Sequence, residues 1–166
     1  MRTTAAAAAA TDTTTVIRIG LIGGLLGGVI IWLYEAVVWV GAQHLLPLSG
    51  IPSNATGLVF GAAVQSSLGW MAAIFGTAIH FLFALIWGVV FAWMWPYFRR
   101  RGLEATLVAL PFAMIVWIVM HVAIMITSSS HPNYYDPNVV IGGFRSHLFF
   151  AVPMALYVKH HLSPQG

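Results

Sequence analysis

The sequence predicts an all-α fold, a bundle of four transmembrane helices. Three observations carry this expectation. Of 166 residues, 60% are hydrophobic and 7% charged, whereas a soluble domain carries roughly 25% charged residues. Apolar runs at 16–42, 68–97, 103–127 and 138–159 are each long enough to cross a bilayer, which takes about 20 residues. The basic residues also alternate with these runs as a spanning chain requires. Arg2, Arg18, the Arg99–Arg101 run and Lys159 fall on one side of a four-span topology, and the other two loops hold no Lys or Arg. The positive-inside rule then places both termini in the cytoplasm.

Residues 1–15 are low-complexity Ala and Thr without the ordered charge, apolar core and cleavage pattern of a secretory signal. They read as a disordered tail ahead of a single membrane domain over 16–161. The chain has no cysteine. Disulfides, thiolate metal sites and thiol catalysis are therefore excluded.

The first span opens with IRIGLIGGLLGG. Gly20, Gly24 and Gly28 form one row, and Gly23 and Gly27 a second. Small residues four apart let helices approach closely in lipid. Glu35 follows Gly28 by seven residues and returns to nearly the same face. It is the only carboxylate away from the end of a span.

The connection 46–67 leans polar, with Pro47, Ser49, Pro52, Asn54 and Gly57, and carries no charge. Its middle, GLVFGAAV, is apolar enough to lie on the membrane or form a short re-entrant piece. The second span contains the stripe Ala72, Gly76, His80, Ala84, Gly88, Ala92, small at every position except the histidine. That places His80 in a helix–helix contact. Trp93, Trp95 and Tyr97 mark the interface before the triple arginine. The arginines read as a topology and headgroup signal, not a nucleic-acid patch.

The third span holds Pro111, a potential kink, and His121 near its far end. A turn-rich loop, SSSHPNYYDP, leads to the fourth span. There Gly143, His147, Ala151 and Ala155 repeat the small-residue seam around one histidine. Arg145 faces nearly the opposite side.

Each span thus contributes one buried ionisable residue: Glu35, His80, His121 and His147. On a rise of about 1.5 Å per residue, the first three lie roughly 26, 28 and 30 Å from the basic face. His147 comes out at roughly 18 Å, if its helix does not project from the membrane. Ionisable groups in lipid are expensive, face the bundle interior and find partners. Three imidazoles and a carboxylate suit a divalent transition metal such as zinc or iron. His80 and His121 on facing helices could instead clamp a haem. The same residues in series could pass protons or ions, or respond to pH. Each also has a plainer reading. A lone histidine can be an interhelical hydrogen-bond donor, and Glu35 can cap a loop or pair with Arg145.

At these residues the chain resembles the YagU-like family of bacterial inner-membrane proteins, whose activity is unassigned. The resemblance is a pattern across 19–161. It takes in the glycine-rich first span ending in Glu35 and HFLFALIWGVVFA from His80. It continues with MHVAIM around His121 and SHLFF around His147. It implies that the four ionisable residues belong together and that the protein resides in a bacterial inner membrane. It supplies no substrate, and the connection 46–67 departs from it.

The leading expectation is a multi-pass membrane protein whose Glu35, His80, His121 and His147 bind a metal ion. A haem held by His80 and His121 is a variant. Proton or ion passage is the first alternative. The second is an accessory subunit that docks a partner, or a second copy, through its glycine seams. No nucleophile–base pair or phosphate loop supports an enzyme.

Overall fold

The computed structural model describes residues 12–163 and is helical throughout, with no strand among them. Asp12 caps the first helix by accepting from the Thr15 backbone N–H at 3.3 Å. Helix α1 therefore starts at Thr13, inside the stretch expected to be tail; residues 1–11 of that tail lie outside the described residues. Helix α1 spans Thr13–Glu35 and continues as a π-helical turn over Ala36–Ala42. Helices α2 (Gly50–Leu68), α3 (Met71–Arg99), α4 (Ala105–Thr127) and α5 (Pro137–Leu162) follow. Four segments are long and apolar enough to cross a membrane: Thr13–Ala42, α3, α4 and α5. Helix α4 runs unbroken through Pro111.

Glycine rows set the packing. Helix α1 lies between α3 and α5, and α5 in turn packs on α4. A Cβ added at Gly24 would stand 2.3 Å from the Ala84 carbonyl oxygen, and one at Gly20 2.6 Å from Val89 Cα, so this row presses backbone to backbone on α3. The other row turns to α5, where Gly27 meets the Phe150 carbonyl and Gly23 meets Val158 and Met154. The stripe read on α3 is a buried seam: Ala72, Gly76, Ala84, Gly88 and Ala92 are all buried. Both glycine rows find their partners within the chain, so they do not require the second copy or partner subunit expected of them.

The half of the bundle nearest the arginines is a solid apolar plug. Phe91, Ala92, Ala109, Ala113, Met154, Ala155 and Val158 are fully buried there. Phe112 meets both Trp87 and Phe91 edge to face, at 5.8 and 5.1 Å between ring centroids. These rings fill the space between α3 and α4, which otherwise touch little.

At the far end the same gap is filled by α2. The sequence reads this region as a connection; it is a helix broken at Gly61, whose φ of +84° only glycine adopts without strain. The break folds α2 back on itself. Gln65 Nε2 donates to Asn54 Oδ1 at 3.2 Å, a contact closed to a straight helix, where eleven residues advance about 16 Å. Polar groups anchor this folded-back piece. Thr56 donates its hydroxyl hydrogen to the Ala72 carbonyl at 2.6 Å, and Gln65 Oε1 accepts from the Ser129 N–H at 2.9 Å. The Pro52 carbonyl sits where a Gly76 side chain would be.

Candidate functional site

Above the plug the helices part around a cavity of about 610 Å³. Glu35, His80, His121 and His147 all line it, one from each spanning segment. His147, the residue whose depth the sequence leaves open, lies level with His121, their rings 5.3 Å apart. Trp39, Phe83, Trp87, Phe150 and Ile31 supply apolar wall, and Ser53, Asn54 and Ser129–Pro132 form the rim at the end away from the arginines.

Each histidine is held by a backbone carbonyl. His80 Nε2 bonds to the Gly28 carbonyl at 3.1 Å. His121 Nδ1 bonds to the Trp117 carbonyl at 3.0 Å, and His147 Nδ1 to the Gly143 carbonyl at 2.8 Å. A carbonyl only accepts, so each of these nitrogens carries the ring hydrogen. In the neutral ring the other nitrogen is then an acceptor: Nδ1 of His80, and Nε2 of His121 and His147. Among the described residues none of the three has a hydrogen-bond partner, and none is sealed away.

Glu35 is 7% exposed and sits beside the Ser146 hydroxyl. It does not pair with Arg145, which is exposed on the other face of α5. Lys159 with Glu104, at the arginine end, is the ion pair found among the described residues. The position of Glu35 follows from the chain geometry: α1 ends at this residue and the π-helical turn begins. Such turns widen a helix locally and recur at functional sites.

The expected four-ligand metal centre is not assembled. Among the described residues no group of three or more His, Cys, Asp or Glu side chains is placed to hold a metal ion. The imidazoles and the carboxylate share a cavity instead of converging on one point. Iron ligation by His80 would have to use Nδ1, because Nε2 is engaged by Gly28.

A second, smaller pocket of about 220 Å³ lies on the other side of His121, between Trp117 and Tyr134. The Trp117 indole nitrogen and the Tyr134 hydroxyl are buried without partners. Burial pushes the Tyr134 phenol above its usual range. Gly143 makes room here, since a Cβ would stand 2.5 Å from Trp117 Nε1.

Sequence reasoning missed Trp39, Asn54, Gln65 and Ser146 as parts of the site. Only Ser146 carries a signal, as the neighbour of a buried histidine. Comparison with family models, curated proteins and solved structures finds no match.

Proposed function

We propose that the protein is a membrane-embedded small-molecule binding protein whose site is entered from one end. The observation that carries this is the cavity of about 610 Å³ with a polar set of one carboxyl and three imidazole acceptors in a largely apolar wall. Ligand pockets of roughly 300–1,000 Å³ with few polar groups in apolar walls are the usual form of a small-molecule site. The positive-inside arrangement of the arginines puts the rim on the outer side of the membrane. The plug of Phe91, Met154 and Val158 blocks a through-path, which disfavours passage of protons or ions in this conformation. The resemblance to the YagU-like family is consistent with a bacterial inner-membrane location.

Ile31 is 6% exposed and lines the cavity one turn before Glu35. In Ile31→Cys, a small uncharged methanethiosulfonate should react, whereas a polyethylene-glycol maleimide should not. A thiol inert to the small reagent in folded protein refutes an accessible cavity.

Metal ligation remains a second reading because of one observation. Histidines that bind metals commonly tie their other ring N–H to a carbonyl, as all three do here. A metal would need the side chains to draw together. Its test is elemental analysis of untagged, unchelated protein alongside His80→Ala and Glu35→Gln.

A further inference from the structure

We infer that the cavity takes a primary ammonium carried on an apolar body. This rests on the reading of the cavity as a small-molecule site and names the chemistry of its ligand.

Acceptors dominate the polar set. The ring hydrogens of His80, His121 and His147 are committed to the carbonyls of Gly28, Trp117 and Gly143. What the neutral rings offer a ligand is three lone pairs. Glu35 adds carboxyl oxygens and, among the described residues, has no Lys or Arg within ion-pair distance. A molecule whose own polar group is an acceptor, such as a carbonyl or carboxylate, meets lone pairs at all four of these groups, and the donors of Ser53, Asn54 and Ser130 lie at the rim. A molecule rich in N–H or O–H donors is complementary.

Charge narrows the class. A buried carboxylate without a partner is strongly disfavoured, and a cation held against it removes the conflict. All four acidic residues of the chain are Asp12, Glu35, Glu104 and Asp136, so Glu35 is the only acid available to the cavity. A primary ammonium brings one positive charge and three N–H donors. One charge matches one carboxylate, and the donors match the imidazole lone pairs.

Size and wall chemistry favour an occupant larger than a bare ion. The cavity of about 610 Å³ is far larger than an ammonium group or metal ion. Trp39, Phe83, Trp87 and Phe150 give it aromatic faces, which attract a cation and cover an apolar body. A quaternary ammonium would keep the charge and the aromatic contact but has no donor to give.

The test compares four probes with one body and different heads, by isothermal titration of purified protein in phosphatidylcholine nanodiscs. The probes are 2-phenylethylamine, 2-phenylethanol, 3-phenylpropanoate and trimethyl(2-phenylethyl)ammonium. The amine should bind at least tenfold more tightly than any of the others, and Glu35→Gln should remove at least tenfold of its affinity. Equal or tighter binding of the alcohol, the carboxylate or the quaternary ion overturns the ammonium assignment while leaving the pocket reading standing. Binding of none of the four overturns both. Should Glu35→Gln not fold, the head-group series in the unaltered protein decides alone. Repeating the amine titration in phosphatidylethanolamine nanodiscs separates the source. A loss of tenfold or more means that the lipid's own ammonium competes and occupies the site, and an unchanged affinity means a free amine.

Discussion

Replacing Gly24 with alanine adds a single methyl group at one of the tightest points between α1 and α3. The new Cβ would lie 2.3 Å from the Ala84 carbonyl oxygen, 3.0 Å from the Ala84 carbonyl carbon and 3.0 Å from Leu85 Cα. Ordinary contact begins at 3.4 Å, so the oxygen has to recede by 3.4 − 2.3, or 1.1 Å. Those atoms are backbone and cannot rotate away, so the helices must separate. A gap of 0.5–1 Å forfeits about a quarter to a half of each van der Waals contact along the seam. Overpacking of this kind costs about 1–3 kcal/mol, and the gain in helix propensity from Gly to Ala returns about 1 kcal/mol. A backbone clash this close belongs at the upper end of that range, so the expected net loss is about 2 kcal/mol, a drop of about 30-fold in the folded-to-unfolded ratio. Two control positions give the scale. At Gly23 the nearest obstacle is the Val158 Cγ2 methyl at 3.2 Å, a side-chain atom with room to shift, and at Gly41 nothing lies closer than 3.5 Å. Equilibrium unfolding in mixed micelles should therefore rank Gly24→Ala well below Gly23→Ala, with Gly41→Ala at or above the unaltered protein. If Gly24→Ala unfolds at the same denaturant concentration as Gly41→Ala, the backbone-to-backbone contact between α1 and α3 is wrong.

Gln65→Ala removes the bonds to Asn54 and the Ser129 N–H, at a cost of about 1–3 kcal/mol for the donor left unpaired. Hydrogen exchange should accelerate in α2 and at 128–131 while the arginine end of α4 is unchanged. Lys159→Ala should cost no more than about 1 kcal/mol in thermal unfolding, since its pair with Glu104 is largely solvent-exposed. Single cysteines at 100 and 133 should react with an impermeant thiol reagent from opposite faces of intact vesicles, and labelling of both from one face would contradict the topology. Untagged protein should carry well under one transition-metal ion per chain; a full equivalent, lost in both His80→Ala and Glu35→Gln, would establish the metal reading instead.

The spanning helices were legible because lipid imposes a simple rule on sequence. Each must be a long uncharged run, and the expected bounds differ from the observed ones by a few residues at each end. The glycine rows were legible for a related reason, since in lipid close approach needs small side chains. Helix α2 was not. Its first half carries Asn54 and Thr56, and its second half Gln65, so it reads as polar loop. Those groups are not there for water. They bond to Gln65, to the Ala72 carbonyl and to the Ser129 N–H, partners that only the folded bundle brings near. The four ionisable residues were found from their rarity, and the cavity they line is consistent with a shared site. Whether these residues converge on one metal ion was not legible, because counting donors says nothing about where their lone pairs point. That depends on which ring nitrogen each backbone carbonyl holds, which is set by helix phase and not by composition.

The closed half and the open half of the bundle arise from one change along α1. From Gly20 to Gly28 the helix presents hydrogen atoms to both neighbours, and α3 and α5 close on it until backbones touch. After Gly28 the rows stop. Ile31 and Glu35 occupy the buried face one and two turns later, and side chains of that size hold the helices apart. The π-helical turn at Ala36–Ala42 then swings Trp39 toward the rim. On α3 the same boundary falls between Ala84 and His80, and on α5 between Ala151 and His147. All three helices thus place a polar side chain at one level, and on α3 and α5 the small residues resume beyond it at Gly76 and Gly143. The polar groups are placed where close packing ends, so the cavity is built by the same residue pattern that closes the plug beneath it.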